Sequence, residues 1–186
     1  MFSNLTSSSS KATPKHFKMY SFSDKRQRLT RVQIHSILRR CPQCYSLSNN
    51  AKNIVSYEDL SAFTFGHLKK TVFFINANEH WILVAIFPGR QCLVADPLDI
   101  VKKWPDVIHS ITLFCRKNRL ELFYFDFRFQ RDNTQICGYL CLWMTAKISQ
   151  LSFLNVLRLK STLSQHRVST NERGMMYSVY KHFHLE

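Results

Sequence analysis

This sequence has no apolar run long enough to span a bilayer, no secretory signal and no internal repeat. Neither a membrane-spanning nor a secreted protein is expected, and the six cysteines read as thiols of a reducing compartment. Acidic residues are scarce as well: 12 Asp and Glu face 26 Lys and Arg, a formal charge of +14. The basic residues are spread over positions 11–40, 69–70, 102–103, 116–119 and 158–167, so they form no single reading motif. Nonspecific attraction to phosphate is the expected consequence, with duplex DNA as the partner; a merely solvated basic surface is the plainer reading. What there is to bury, 45% apolar residues in a chain of 186, suffices for one core. Residues 1–28, with Ser7 to Ser10, Lys15, Lys18, Lys25, Arg26 and Arg28, are Ser-rich and basic and read as a disordered tail; residues 29–186 read as one domain.

The chemistry turns on Cys137. A cysteine attacks a carbonyl only as thiolate, and at neutral pH a neighbouring imidazolium or a helix N-terminus is needed to hold that anion. Over 137–150, Leu140, Trp143, Met144 and Ile148 fall at helical spacing, and Asn133 and Thr134 stand where N-caps belong. The sulfur is thereby placed at the positive end of a buried helix. Gly138, beside the thiol, leaves room for a substrate backbone. Upstream, Phe123, Phe125, Phe127 and Phe129 alternate with Tyr124, Asp126, Arg128 and Gln130. That predicts a strand that delivers Gln130 on its polar face, away from the Phe layer, where its amide joins the Cys137 backbone N–H as an oxyanion donor. His80 opens the apolar run 80–87, a strand covered on both faces, and Pro88, Gly89 and Arg90 turn it into a return strand over 91–96. Paired as a hairpin, these strands bring His80 and Asp96 to the same open end, with Asp99 as the fallback acid. Base, acid, amide and thiol form a set for acyl transfer by a cysteine nucleophile.

In these residues the chain resembles the adenain-type cysteine proteases, made by adenoviruses and by large DNA transposons of the Polinton (Maverick) type and their virus-like relatives. The resemblance rests on His80 and Trp81, on Asp96, and on Gln130 ahead of Cys137 and Gly138 at the family's spacing. Weaker likeness at residues 71–77, Cys141, Leu142, Asn171, Glu172, Val179 and Phe183 extends it over residues 65–183. It implies a papain-like or adenain-like protease fold, with Cys137 as nucleophile, His80 as base, Asp96 as its acid, Gln130 as oxyanion donor, and Trp81 and Gly138 bordering the substrate. It also implies maturation cleavage of capsid or core precursor polyproteins after small residues such as Gly-Gly. DNA as an activating cofactor, no tightly bound cofactor, a monomer, and location in the host nucleus or the virion complete the expectation. No cysteine stands where the adenoviral enzymes attach an activating peptide, Cys115 being too far upstream, so a peptide activator is not carried over. The proteases of ubiquitin-like modifiers share the same chain order and give an alternative substrate class. A catalytically dead, basic nucleic-acid-binding protein is the alternative of a different kind.

Each signal alone has a plainer reading: a Cys-Gly is more often a packed thiol beside a turn, and a His before a strand is more often a satisfied histidine. Their conjunction in order favours catalysis. Cys141, one helical turn beyond Cys137, reads as packing, as do Cys92 and Cys115. Cys41-Pro-Gln-Cys44 has the spacing of half a zinc site, but no second ligand pair is near, and with His35 counted a fourth ligand is still missing. It reads as a helix-ending turn, and no metal is assigned. Ile34, Ile37 and Leu38 predict a helix over 30–40, and Pro105 opens another that buries Val107, Ile108, Ile111 and Phe114. The order of helix, strands, helix, strand, catalytic helix and C-terminal helices implies an α+β fold, a central mixed sheet flanked by helices.

Counterion release makes the log of affinity for duplex DNA fall by about 0.9 per phosphate contact per log unit of salt. Removing residues 1–28 is expected to lower affinity and salt slope together, read by fluorescence anisotropy at two salt concentrations. A flat slope in the full chain would mean that the charge is only a solvated surface.

Overall fold

A computed structural model describes residues 28–64, 69–132, 134–163 and 168–185. In it, the apolar run that opens at His80 becomes the middle strand of a five-stranded sheet. The strands are β1 (Ile54–Ser56), β2 (Thr71–Ala77), β3 (His80–Ile86), β4 (Gln91–Ala95) and β5 (Glu121–Tyr124), adjacent in that order. β2, β3 and β4 are antiparallel, while β1 and β5 join the two edges in parallel, so the sheet is mixed. The helices are α1 (Arg31–Leu38), α2 (Pro42–Leu47), α3 (Pro105–Lys117), α4 (Cys137–Gln150), α5 (Phe153–Thr162) and α6 (Val168–Phe183).

Every residue of β3 is buried, because helices cover both faces of the sheet. Leu83 and Ala85, with Phe74 and Leu93 beside them, pack under α1, α2, α4, α5 and α6. Ile82, Val84 and Ile86, with Phe73 and Val94, pack on α3. This α+β architecture, a mixed sheet flanked by helices, is the one that the element order implied.

Two hairpins fix His80. Asn78 and Glu79, at φ 49° and 66°, form a two-residue left-handed turn that pairs Ala77 with His80, the turn type whose twist matches its strands. The sequence reading did not identify this turn, because Glu79 stands where glycine is the usual residue. The expected turn between β3 and β4 is present, closed by Phe87 N–H to the Gln91 carbonyl at 2.9 Å, with Arg90 rather than Gly89 in the left-handed region. The tail expected over 1–28 lies outside the described residues except for Arg28, which pairs with Glu79 at 2.7 Å.

Thr30 caps α1 in a reciprocal box with Gln33, and Ile34, Ile37 and Leu38 are buried as expected. After a turn, Cys41 becomes the N-cap of α2, with Pro42 at its first position. In α3, Val107, Ile111 and Phe114 are buried, but Ile108 is only half-buried. The expected caps of α4 need correction. Thr134 does not cap it; Ile136 holds the N-cap position and offers no side-chain acceptor, and Asn133 lies outside the described residues. The strand expected through Gln130 also ends early. Its ladder stops at Tyr124, and a tight Phe127 N–H to Phe125 carbonyl bond turns the chain, although Phe125, Phe127 and Phe129 remain buried.

Phe73 is fully buried, with edge-on contacts to Phe63 and Phe114 at 5.2 and 5.5 Å. Phe73→Ala is expected to cost about 3–5 kcal/mol by chemical denaturation. Leu154→Ala, at a side chain 61% exposed, is expected to stay within about 0.5 kcal/mol. Equal costs at both positions would contradict the placement of the core.

Candidate active site

α4 is buried on nearly every side, since its apolar residues run around the whole helix from Leu140 to Ile148. That burial sets the first turn, and Cys137 within it, against the start of β3. The first N–H groups of a helix have no partner inside it, and among the described residues no side chain caps these, so the end of α4 presents its positive pole at the sulfur. The Trp81 N–H donates to Cys137 Sγ at 3.5 Å. One turn further on, Cys141 Sγ donates to the Trp81 carbonyl at 3.4 Å. Two cysteines on one helix thus clasp both backbone groups of one residue of β3. Cys141 therefore fixes the distance between helix and strand, a role that packing alone does not convey.

His80 Nε2 lies 2.6 Å from Asp96 Oδ1. The other face of the pair is Cys137, whose thiol lies within electrostatic reach of the same imidazole. Trp104 meets the ring edge-on at 5.8 Å between centroids. Asp96 is itself held by backbone N–H groups: Leu98 at 2.9 Å on Oδ1, and Ile100 and Val101, both at 2.7 Å, on Oδ2. Asp99, the fallback acid, is exposed and makes no hydrogen bond to His80. The acid beside His80 is Asp96.

The electrostatics follow from this arrangement. Burial by itself pulls the His80 imidazolium down, but the hydrogen bond and charge of Asp96, together with the Cys137 thiolate, outweigh it and push its pKa up from 6.5 to about 9. Burial likewise pushes the Cys137 thiol up, yet the neighbouring His80 imidazolium, with the N–H groups of Trp81 and Gly138, brings it below its ordinary 9.0. Asp96 is also lowered: burial opposes its charge, and the His80 contact with the Leu98 and Ile100 N–H groups prevails. Cys141 goes the other way, held well above the ordinary range by complete burial and then by the nearby Cys137 and Asp96 charges. One thiol is set to ionise and its neighbour to remain a donor.

Gln130 departs from its expected place. It is 1% exposed, next to the buried Phe129 rather than on a polar face, and its Nε2 donates to the Thr134 carbonyl at 2.6 Å. The amide has a second N–H, while its Oε1 is buried without a hydrogen-bond partner among the described residues. The bonding of this loop explains the change. The Pro97 carbonyl accepts from Phe129 N–H at 3.1 Å and Gln130 N–H at 2.9 Å, tying the loop after Asp96 to the approach to α4. Buried Glu172 of α6 accepts from Thr134 Oγ1 at 3.1 Å and pairs with Arg131 Nε at 2.7 Å.

Gly138 and Trp81 need a similar correction. A Cβ on Gly138 would stand 3.0 Å from Leu29 Cβ and 3.3 Å from Trp81 Cδ1, so the space that glycine leaves is filled by the protein itself. Trp81 is buried, its Nε1 donating to the Leu29 carbonyl at 2.6 Å. Leu29 and Pro97 are supporting residues that sequence reasoning passed over, while Cys141 reads from sequence only as packing and Glu172 only as part of the C-terminal likeness. Cys92 and Cys115 are buried free thiols, as expected. No protein-family model and no curated protein sequence matches the chain.

The lowered Cys137 and raised His80 define a pH window. Thiolate forms as pH rises through a value below 9.0, and the imidazolium beside it is lost as pH passes about 9. Ultraviolet thiolate absorption of Cys137, taken as the difference between the full chain and Cys137→Ala, is expected to rise below pH 9, and to move to higher pH in His80→Ala. Absorption that first appears near 9 in the parent chain would contradict this pairing.

Proposed function

We propose that this chain is a cysteine endopeptidase with Cys137 as nucleophile. The observation that carries the reading is the joining, at the start of one buried helix, of a lowered thiol, a raised imidazole and a carboxylate 2.6 Å from that imidazole. A papain-like, adenain-like identity for the fold belongs to the same proposal. It is supported by a nucleophile at a helix N-terminus packed on the antiparallel strands that carry base and acid.

In this reading the Cys137 thiolate attacks the peptide carbonyl carbon, and the carbonyl electrons move onto oxygen. The backbone N–H of Cys137 and the second N–H of Gln130 stabilise that oxyanion. His80, protonated beforehand, gives its proton to the departing amine as the C–N bond breaks, leaving a thioester on Cys137. Neutral His80 then takes a proton from water, which attacks the thioester and restores the thiolate–imidazolium pair. Asp96 keeps the ring oriented throughout and stabilises its charged form. The substrates proposed are capsid or core precursors cut after small residues, with DNA binding through the basic surface as an activating contact; both rest on the resemblance stated above. Retention of every element that ionises the thiol favours an active enzyme over a dead fold that only binds nucleic acid.

Hydrolysis of a peptide with Gly-Gly before the scissile bond tests the reading. Cys137→Ala is expected to abolish it and His80→Ala to come close, while Gln130→Ala is expected to lose about 100–1000-fold in kcat. Asp96→Asn removes the charge that raises His80, so the alkaline limb of the rate profile should move to lower pH with a lower kcat; Asp99→Asn should leave both unchanged. Undiminished hydrolysis by Cys137→Ala would overturn the proposal, and a shifted limb in Asp99→Asn alone would overturn the choice of acid.

A further inference from the structure

At the opposite end of α4 from Cys137, three side chains converge that the proposed chemistry does not use. Cys41 caps α2, Cys44 lies within it, and His182 comes from the last turn of α6. His182 Nε2 is 3.4 Å from Cys41 Sγ and 3.7 Å from Cys44 Sγ, and the three atoms lie within 4.8 Å of one another. His35, the partner considered from sequence, is engaged elsewhere: its Nε2 is 3.3 Å from the Tyr45 hydroxyl and its ring stacks on Tyr45.

We propose that Cys41, Cys44 and His182 bind one zinc ion. The distances fit the ion. Zn–S bonds of about 2.3 Å and a Zn–N bond of about 2.0–2.1 Å, at a tetrahedral angle, place sulfur and nitrogen about 3.6 Å apart. The two observed separations, 3.4 and 3.7 Å, bracket that value. A single imidazole nitrogen that accepts one thiol proton has no reason to sit almost equally close to a second sulfur; a shared ion supplies one. Two thiolates and an imidazole are the donors that favour zinc over the harder cations. The two thiolates also cancel the charge of the ion, so nearby Lys147 and Lys181 face a neutral centre. A surface depression lined by these lysines, Gln150, His182 and His184 opens the His182 side of the cluster and gives the ion a way in.

The surrounding bonds already hold this geometry. Arg40, next to Cys41, donates from Nη1 to the His184 carbonyl at 2.8 Å, and Leu185 N–H closes onto the Tyr180 carbonyl at 3.0 Å. The end of α6 is thus fastened to the Cys41 turn independently of any ion. The site is about 15 Å along α4 from Cys137 at 1.5 Å per residue, so the role is to clamp α2 and α6 together rather than to join the hydrolysis.

The test uses the full chain as Cys137→Ala, so that the reactive thiol cannot bind metal. Reduced protein is titrated with cobalt(II), and zinc content is measured after dialysis. One cobalt per chain is expected, with thiolate-to-cobalt charge transfer and the intense visible bands of a tetrahedral site, and zinc is expected to displace it. Adding Cys41→Ser, Cys44→Ser or His182→Ala is expected to weaken binding by more than the roughly 10–100-fold that loss of an outer-shell partner costs. Cys92→Ser is expected to leave it intact. Removing a ligand also loosens the clamp, so His182→Cys is the second variant: it should keep the metal and strengthen the charge-transfer band. A folded, reduced chain that takes up no cobalt would overturn the proposal, as would binding that survives all three ligand losses or a His182→Cys spectrum with no added thiolate band.

Discussion

The carboxylate of Asp96 is the constraint on which the rest of the site depends. Buried charge is tolerated only when it is fully bonded, and Asp96 meets that condition with His80 and three backbone N–H groups. Those N–H groups belong to the loop that follows β4, so the charge that orients the imidazole also folds the loop. The same loop reaches the segment before α4 through the Pro97 carbonyl, which accepts from Phe129 and Gln130. Acid, base and the approach to the thiol are therefore not three independent placements. Loss of the Asp96 charge would loosen them together.

The second constraint is the burial of α4. A helix apolar all round must be enclosed, and enclosing it against β3 brings its free N–H end to His80 and Trp81. The two cysteines of its first turns then differ by environment alone. Cys137 has donors and a cation beside it, while Cys141 donates to a carbonyl, so one is drawn toward thiolate and the other kept neutral. Residue type did not decide this; position on the helix did.

Much of the site was legible because its geometry is local. The hairpin that joins His80 to Asp96 could be read from an apolar run, a Pro-Gly turn and a return strand, and the helix at Cys137 from its spacing. Gln130 was misplaced because alternation was extended beyond Tyr124, where the Phe127 to Phe125 bond ends the ladder. Thr134 was misassigned as a cap of α4 because it spends its hydroxyl on the Arg131 carbonyl and Glu172, a partner 38 positions away. Trp81 and Gly138 were expected to border open space that Leu29 fills. The convergence of Cys41 and Cys44 on His182 spans 138 residues or more and leaves no trace in local spacing. What sequence conveys here is periodicity and order; what it withholds are contacts made by chain segments far apart.

The central claim is that Cys137, ionised by His80, forms a covalent acyl intermediate. Intact-mass spectrometry of the full chain quenched in acid during turnover of an activated peptide ester tests it most directly. The account predicts one acyl group per chain, mapped to Cys137 and absent from Cys137→Ala and, at neutral pH, from His80→Ala. An acyl group on Cys141 or on any other residue, or turnover with no acyl-protein at all, would contradict it.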